Sequence, residues 1–328
     1  MQHYNSITKV TLQFSNSIMI TSRESLLLII TTPLYTSVIL LEIILSAWHG
    51  RNLYSWRGIF HNFLLTCTNA GLDLLVRGFY VGIMVWFWQH RIAEVHAGWL
   101  YWPLLLLVED FAFYWLHRVD HYCRLFWAAH VTHHSSEEFN LTVGFRSSVF
   151  QPVYRFLYFL PLAWLGFRAE DILFVYSATQ MWGILVHTQY NIRLGWLEWV
   201  MVTPAHHRVH HASNVAYLDR NMGMMLIIWD RLFGTFADED PAEPVRYGLT
   251  TSLDSQRPDH IILHEWQNLA DDLRKPGPFL QKLKYLFAPP GWSHDGSSLT
   301  ANEMRAQLGK SVANETMVSQ DDPSGVLA

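Results

Sequence analysis

Apolar residues fall along this chain in five long blocks, and the blocks predict its architecture. The first, Ser25–Trp48, reads SLLLIITTPLYTSVILLEIILSAW and contains one carboxylate, Glu42. A second covers about Leu72–Trp88 and a third Gly98–Leu116, with only the short QHRIAEVHA between them. The fourth, about Val149–Phe167, and the fifth, Asp171–Val186, are joined by RAE. Crossing a bilayer takes about 20 mostly apolar residues in a helix. The predicted fold is therefore an all-α integral membrane helical bundle of four to five transmembrane helices, arranged as two tight hairpins after the first span. Arg155 and Pro161 lie inside the fourth block, so it can be re-entrant instead of a full span.

Alternate crossing of the bilayer has a consequence for polarity. It puts 49–61, the segment 117–148 and everything after His187 on one side of the membrane. That side carries Arg51, Arg57, Arg118, Arg124, Arg146, Arg193, Arg208 and Arg220, whereas the two hairpin tips carry Arg91 and Arg168. An excess of basic residues marks the cytoplasmic face, so this face is predicted to be a cytosolic helical cap. The first 22 residues are polar and mixed and do not read as a secretory signal. The chain divides into an N-terminal segment (1–24), a membrane-embedded domain with its cap (25–236), a cytosolic or interfacial amphipathic tail (237–295) and a disordered end (296–328). HIILHEWQNLADDLR and PFLQKLKYLFAPPGW in the tail have the spacing of helices that lie on a bilayer surface.

Composition agrees with membrane insertion. Half of the 328 residues are hydrophobic and only 16% are charged, with 15 Trp, 14 Tyr and 19 Phe. A net charge of −5 argues against a nucleic-acid partner. Cys67 and Cys123 are the only thiols and form no CxxC, which excludes a disulfide framework and a thiolate zinc site. Any metal must sit mainly on imidazole.

Histidine supplies the candidate chemistry, because ten of the 18 histidines lie between 117 and 211. His117 and His121 in HRVDH are one helical turn apart on one face. HVTHH adds His130, His133 and His134; the spacing predicts that His130 and His133 face one way while His134 is turned by about 100°. AHHRVHH repeats the arrangement with His206, His207, His210 and His211, and His187 ends the fifth block at the same face. Each cluster can thus send ligands to both members of a pair of ions. Eight to ten imidazoles exceed the four ligands of one structural zinc and imply two ions, although imidazole alone does not choose between zinc, copper, iron and nickel. Glu109, Asp110 and Asp120 are candidate catalytic carboxylates placed to orient a ligand or offset metal charge, with Asp219 as a further one. His49, His61, His90, His96, His260, His264 and His294 read as ordinary interfacial residues.

At these residues the chain resembles the fatty acid hydroxylase and sterol desaturase superfamily of integral-membrane di-iron oxygenases. The motifs that carry the resemblance are HRVDH, HVTHH and HRVHH, with HHSSEEFNLTVGFRSS and LDRNMGMMLIIWDRLFGTF beside them, over roughly residues 100–236. It is most similar to the alkylglycerol monooxygenase-like branch and to bacterial members usually called sterol desaturases. The resemblance implies that His117, His121, His130, His133, His134, His187, His207, His210 and His211 ligate two Fe ions, with His206 adjacent. Acyl 2-hydroxylases of the superfamily have a histidine where this chain has Asn191, and relatives have an aromatic residue where it has Met222. The Asn191 difference, together with three residues instead of four between the histidines of HRVDH, leans away from ceramide-type substrates.

The implied activity is hydroxylation of an unactivated C–H bond of a sterol, alkylglycerol or acyl lipid with O2, in the bacterial cytoplasmic membrane or the endoplasmic reticulum. Ser135, Ser136, Asn140 and Asn214 are candidate cleft groups. The chain has no dinucleotide, flavin or haem motif, so a separate electron donor is expected: a reduced pterin, cytochrome b5 or a ferredoxin-type protein. A desaturase would use the same ligands. A metal transporter, with ligands expected near the bilayer midplane, and a zinc hydrolase, for which no HExxH is present, fit the pattern less well.

Overall fold

The computed structural model describes residues 22–96 and 98–310. Helix α1 covers Ser22–Trp48 and α2 covers Trp56–Gln89. Both are long and apolar enough to cross a membrane. Leu26, Ile29, Ile30, Leu40, Leu41 and Ile44 on α1 and Leu74, Leu75 and Phe79 on α2 are exposed. Apolar surface on this scale calls for a nonaqueous neighbour, and the protein is a membrane protein.

The second apolar block is only the latter part of α2, whose 34 residues extend over about 51 Å. The helix starts early because Ser55 caps it, its hydroxyl accepting a hydrogen bond from the Gly58 N–H. Polar residues at Thr66–Asn69 do not interrupt it: Thr66 and Thr68 return their hydroxyls to carbonyls one turn back. Helix α3 (Tyr101–Tyr122) leads almost directly into α4 (Arg124–His134).

The fourth block is not a continuous helix. It forms 3-10 turns at Gln151–Val153 and Arg155–Phe159 and then the six-residue α5 (Leu160–Leu165). Pro152 and Pro161 each start a short element, where a missing N–H costs nothing. Arg155 reaches Asp73 on α2 and lies 4.9 Å from the Tyr176 ring. Asp73 also faces Arg77, which pairs with Glu24 of α1 at 2.7 Å. Replacing Arg155 with methionine removes the closer partner of a carboxylate in a dry interior. It is expected to cost about 3 kcal/mol, measurable as a lowered thermal midpoint in detergent.

Helix α6 spans Ala169–Leu185. The hairpin tips lie together, with the Ile92 N–H donating to the Trp164 carbonyl at 2.9 Å. Gly166, at φ +115°, passes so close that a β-carbon would sit 2.4 Å from the Ala93 carbonyl oxygen. Arg23 at the start of α1 pairs with Asp171 at the start of α6, at the same end. The histidines occupy the opposite end, where His117 and His121 lie in the last turns of α3 and His187 follows α6. Tyr80, Met84, Leu105, Phe113, Phe159 and Ile172 are central to the packed core between α2, α3, the broken segment and α6.

The cap contains α7 (Pro204–His210), α8 (Ile228–Phe233), α9 (Pro258–Arg274) and α10 (Phe279–Phe287). Helix α9 docks on α4 through Arg124, which reaches Glu265 at 2.8 Å and Asp272 at 2.6 Å. It thus braces a histidine helix and is not simply a surface strip. Phe279, Leu280 and Phe287 of α10 remain exposed. The end expected to be disordered from 296 onward is helical over 301–310 (α11), where Glu303 bonds back to Thr300. Residues 311–328 and 1–21 lie outside the described residues.

Candidate metal centre

Nine of the ten clustered histidines converge in two neighbouring groups. His117, His121, His130, His134 and His210 form one; His133, His187, His207 and His211 form the other. Within each group the ligand nitrogens all lie within 4.8 Å of one another. The groups adjoin, with the His134 and His211 rings 4.5 Å apart.

The division follows helical geometry, with one correction to the expected pairing. At 100° per residue, i+4 lies about 40° from i and i+3 about 60° on the other side. The i, i+4 pairs 117/121, 130/134 and 207/211 therefore each stay within one group, and the i+3 residues His133 and His210 cross to the other. His206 belongs to neither group. Its Nδ1 accepts from the Thr203 N–H while the Thr203 hydroxyl accepts from the His206 N–H, so this side chain caps α7.

Main-chain carbonyls aim the rings. Nδ1–H groups donate to the carbonyls of Met222 (from His117, 2.8 Å), Arg146 (His133, 2.8 Å), Gly183 (His187, 2.6 Å) and Arg220 (His210, 2.9 Å). His121 Nδ1 meets Asp219 at 3.2 Å. A carbonyl can only accept, so these rings carry their proton on Nδ1 and present the Nε2 lone pair inward.

The inward nitrogens stand close together. Nε2 atoms of His117 and His130 are 3.1 Å apart, those of His130 and His134 3.2 Å, those of His187 and His207 2.9 Å, and those of His187 and His211 3.1 Å. Nε2 of His121 and of His210 is buried without a partner. Lone pairs facing each other in a dry pocket call for a cation. With metal–imidazole distances of about 2.0–2.1 Å, adjacent ligands of a six-coordinate ion stand about 3 Å apart. The residues fit one metal ion per group.

Burial holds the imidazoles of His130, His134, His207, His210 and His211 well below their usual range. It brings His133 down to about 4. The rings are thus neutral and ligand-ready at physiological pH.

The three candidate carboxylates separate. Asp120 accepts from Gln151 Nε2 and the Tyr154 hydroxyl, each at 2.8 Å, and lies 3.7 Å from His130 Nδ1. Glu109 is fully buried and faces the Thr179 hydroxyl at 3.4 Å, two helical turns before His117. Asp110 accepts from the Met225 and Leu226 N–H groups and from Trp229 Nε1. It ties the 225–229 segment to α3 and takes no part in either histidine group. Ser135 bonds Thr132 and Arg146, Asn140 bonds Leu53, and Asn214 bonds the 243–246 loop, so these serve loop structure.

Several contributors were not anticipated from sequence. The Ser148 hydroxyl meets His130 Nδ1 at 3.2 Å, and the Phe139 ring packs on His187 and His211. Asp230 accepts from the Met222 N–H at 2.6 Å, the Gly223 N–H at 2.8 Å and the Thr235 hydroxyl at 2.6 Å. It fixes the segment whose Met222 carbonyl orients His117. Burial raises the Asp230 carboxyl to about 6. Asp230→Ala leaves buried donors unmet and is expected to cost about 1–3 kcal/mol, read as a lower melting midpoint together with weaker metal retention.

Residues 102–235, which hold all nine histidines, match the fatty acid hydroxylase family model. This part of the chain is a fatty acid hydroxylase domain. It is similar to the alkylglycerol monooxygenase of Xenopus tropicalis, 36% identical over 80% of this chain and 58% of the relative. Its likeness to the Homo sapiens alkylglycerol monooxygenase is 32% over 88% of this chain and 65% of the relative. An ornithine lipid hydroxylase of Rhizobium tropici is 30% identical over 45% of this chain and 47% of the relative. The chain thus spans less than two thirds of the length of these curated relatives. No solved structure matches it.

Proposed function

We propose that the protein is a membrane-bound di-iron oxygenase that uses O2 to hydroxylate an unactivated C–H bond of a lipid. The observation that carries this reading is the convergence of nine buried or half-buried imidazoles in adjacent groups of five and four. The family domain and the relatives named as lipid hydroxylases and monooxygenases support it.

Two bound iron ions would supply the capacity to reduce O2 and oxidise the C–H bond. His117, His121, His130, His134 and His210 would hold one ion, and His133, His187, His207 and His211 the other. The carbonyls behind His117, His133, His187 and His210 keep those lone pairs aimed and add no charge. Phe139, fully packed against the four-histidine group, keeps water from that side. The exposed apolar helices would let a lipid reach the centre sideways from the bilayer. The arginine-rich histidine end would face the cytoplasm.

A separate donor must supply electrons. A cavity of about 460 Å³ reaches His121, His134 and His210 from the cap side, between α4, α9 and α11. Asp219, His260, Glu265 and Asn268 line it, and among the described residues no lysine or arginine does. That lining suits a small uncharged reductant, such as a reduced pterin, better than a phosphate-bearing nucleotide.

The test is turnover of iron-loaded protein in detergent under ¹⁸O2, with alkylglycerol, sterol and acyl lipids and a reductant. A product with one labelled oxygen atom is expected. A product with a new double bond and no label would favour the desaturase reading, and unchanged lipids throughout would overturn the oxidative one.

A further inference from the structure

The structure has a buried carboxylate, Glu42, in a helix whose other faces are apolar and exposed. Leu40, Leu41 and Ile44 point outward, while Glu42 is only 4% exposed. A carboxylate in such a helix is costly, so what it holds is informative. It accepts from the Leu141 N–H at 2.9 Å and from the hydroxyls of Thr188 and Tyr54.

Both long-range partners lead to one ligand. Thr188 follows His187 directly, and its carbonyl accepts from Arg208, the neighbour of His207, at 3.4 Å. Leu141 opens the turn Leu141–Gly144. There, a β-carbon on Gly144 would sit 2.9 Å from the Ile184 α-carbon and 3.1 Å from His187 Nδ1. The segment just before Leu141 supplies Phe139, whose ring centroid is 5.5 Å from that of His187 and 5.2 Å from that of His211. Glu42 thus grips His187 from its chain neighbour and from the turn packed on its ring. Through Thr188 and Leu141 these contacts lead to the four-histidine group, and among the described residues none of Glu42's bonds reaches the five-histidine group.

From this geometry we infer that Glu42 is a positioning residue for the four-histidine metal site, through which the first membrane helix sets the occupancy of one ion of the pair. The inference rests on the metal-binding reading of the two groups. The four-histidine group has no spare imidazole to absorb a displaced His187, so the effect is selective.

The experiment is anaerobic ferrous titration of full-length protein in detergent against a competing chelator, with Mössbauer spectra of ⁵⁷Fe-loaded samples. Wild-type protein should take two ions per chain; if it does not, the site reading itself fails before Glu42 is tested. Glu42→Ala is expected to keep one ion with unchanged affinity and to bind the second about 10–100-fold more weakly, the usual effect of removing a group that orients a ligand. Glu42→Gln, which can still accept from the Leu141 N–H, should restore part of that loss. Thr188→Val, a smaller change that keeps the fold if Glu42→Ala does not, should weaken the same ion alone. Equal weakening of both ions, or two ions bound as in wild type, would overturn the inference.

Discussion

His133→Ala is expected to leave the protein with about one metal ion per chain and to lower turnover at least about a hundredfold. Removing a group that merely orients a ligand already costs 10–100-fold in affinity or activity, and His133 is itself one of four imidazoles. Three remaining nitrogens with no carboxylate among them make a poor binding set. His210→Ala should act differently, because its group retains four imidazoles, the full complement of a closed tetrahedral site. That variant should keep much of its metal while still losing turnover, since the changed coordination alters the ion's charge and geometry. Metal content by elemental analysis, set beside product formation, separates the two. Equal metal loss in both variants would contradict the division into five and four.

Acid is expected to unfold the metal-free protein over a narrow range. Six histidines of α4 and of α7 with its C-cap His211 are held neutral by burial, with His133 at about 4 and the others also well below their usual value. In the unfolded chain each titrates near 6.5. Below that pH the unfolded state binds protons that the folded state does not, so stability falls as pH falls and is fully present only above about 6.5. Each such histidine contributes a slope of about 1.4 kcal/mol per pH unit until its folded pKa is reached. Six together exceed the few kcal/mol by which most proteins are stable. Thermal midpoints of chelator-treated protein should be flat from pH 8 to 7 and collapse between 6.5 and 5. Iron-loaded protein should resist to lower pH, because the ions bind only the folded state. A metal-free midpoint that does not change down to pH 5 would contradict buried, neutral imidazoles.

The histidine pattern was legible because side-chain identity carries ligand chemistry directly and helical period dictates which rings share a face. The error about His130 and His133 came from favouring i+3 over i+4, a difference of about 20° in angular offset. His206 looked like its neighbours, yet Thr203 and Pro204 before it are the signals of a helix start, and its imidazole was committed to the cap. The groups that orient the rings were invisible because most are carbonyls, present at every residue. One hint lay in LDRNMG, where Asp219 and Asn221 both adopt φ +54°. Short polar residues tolerate that conformation, and the tight turn they permit presents the Arg220 and Met222 carbonyls to His210 and His117.

The apolar blocks located the helices but not their limits. Hydropathy sees the bilayer-facing residues of α2 and not its first four turns, which are held by the Ser55 cap and by contacts such as Asn62 Nδ2 to the Thr142 hydroxyl at 3.1 Å. Arg155 and Pro161 did announce the broken fourth segment. Asp110 could not be assigned from sequence, since its three donors lie more than a hundred residues away.

The most direct test of the central claim is metal content and ⁵⁷Fe Mössbauer spectroscopy of the purified, iron-loaded protein. Two ions per chain in a magnetically coupled pair are the result expected from two adjoining histidine groups. A single ion per chain, or two that are uncoupled and removed together by mild chelation, would contradict it.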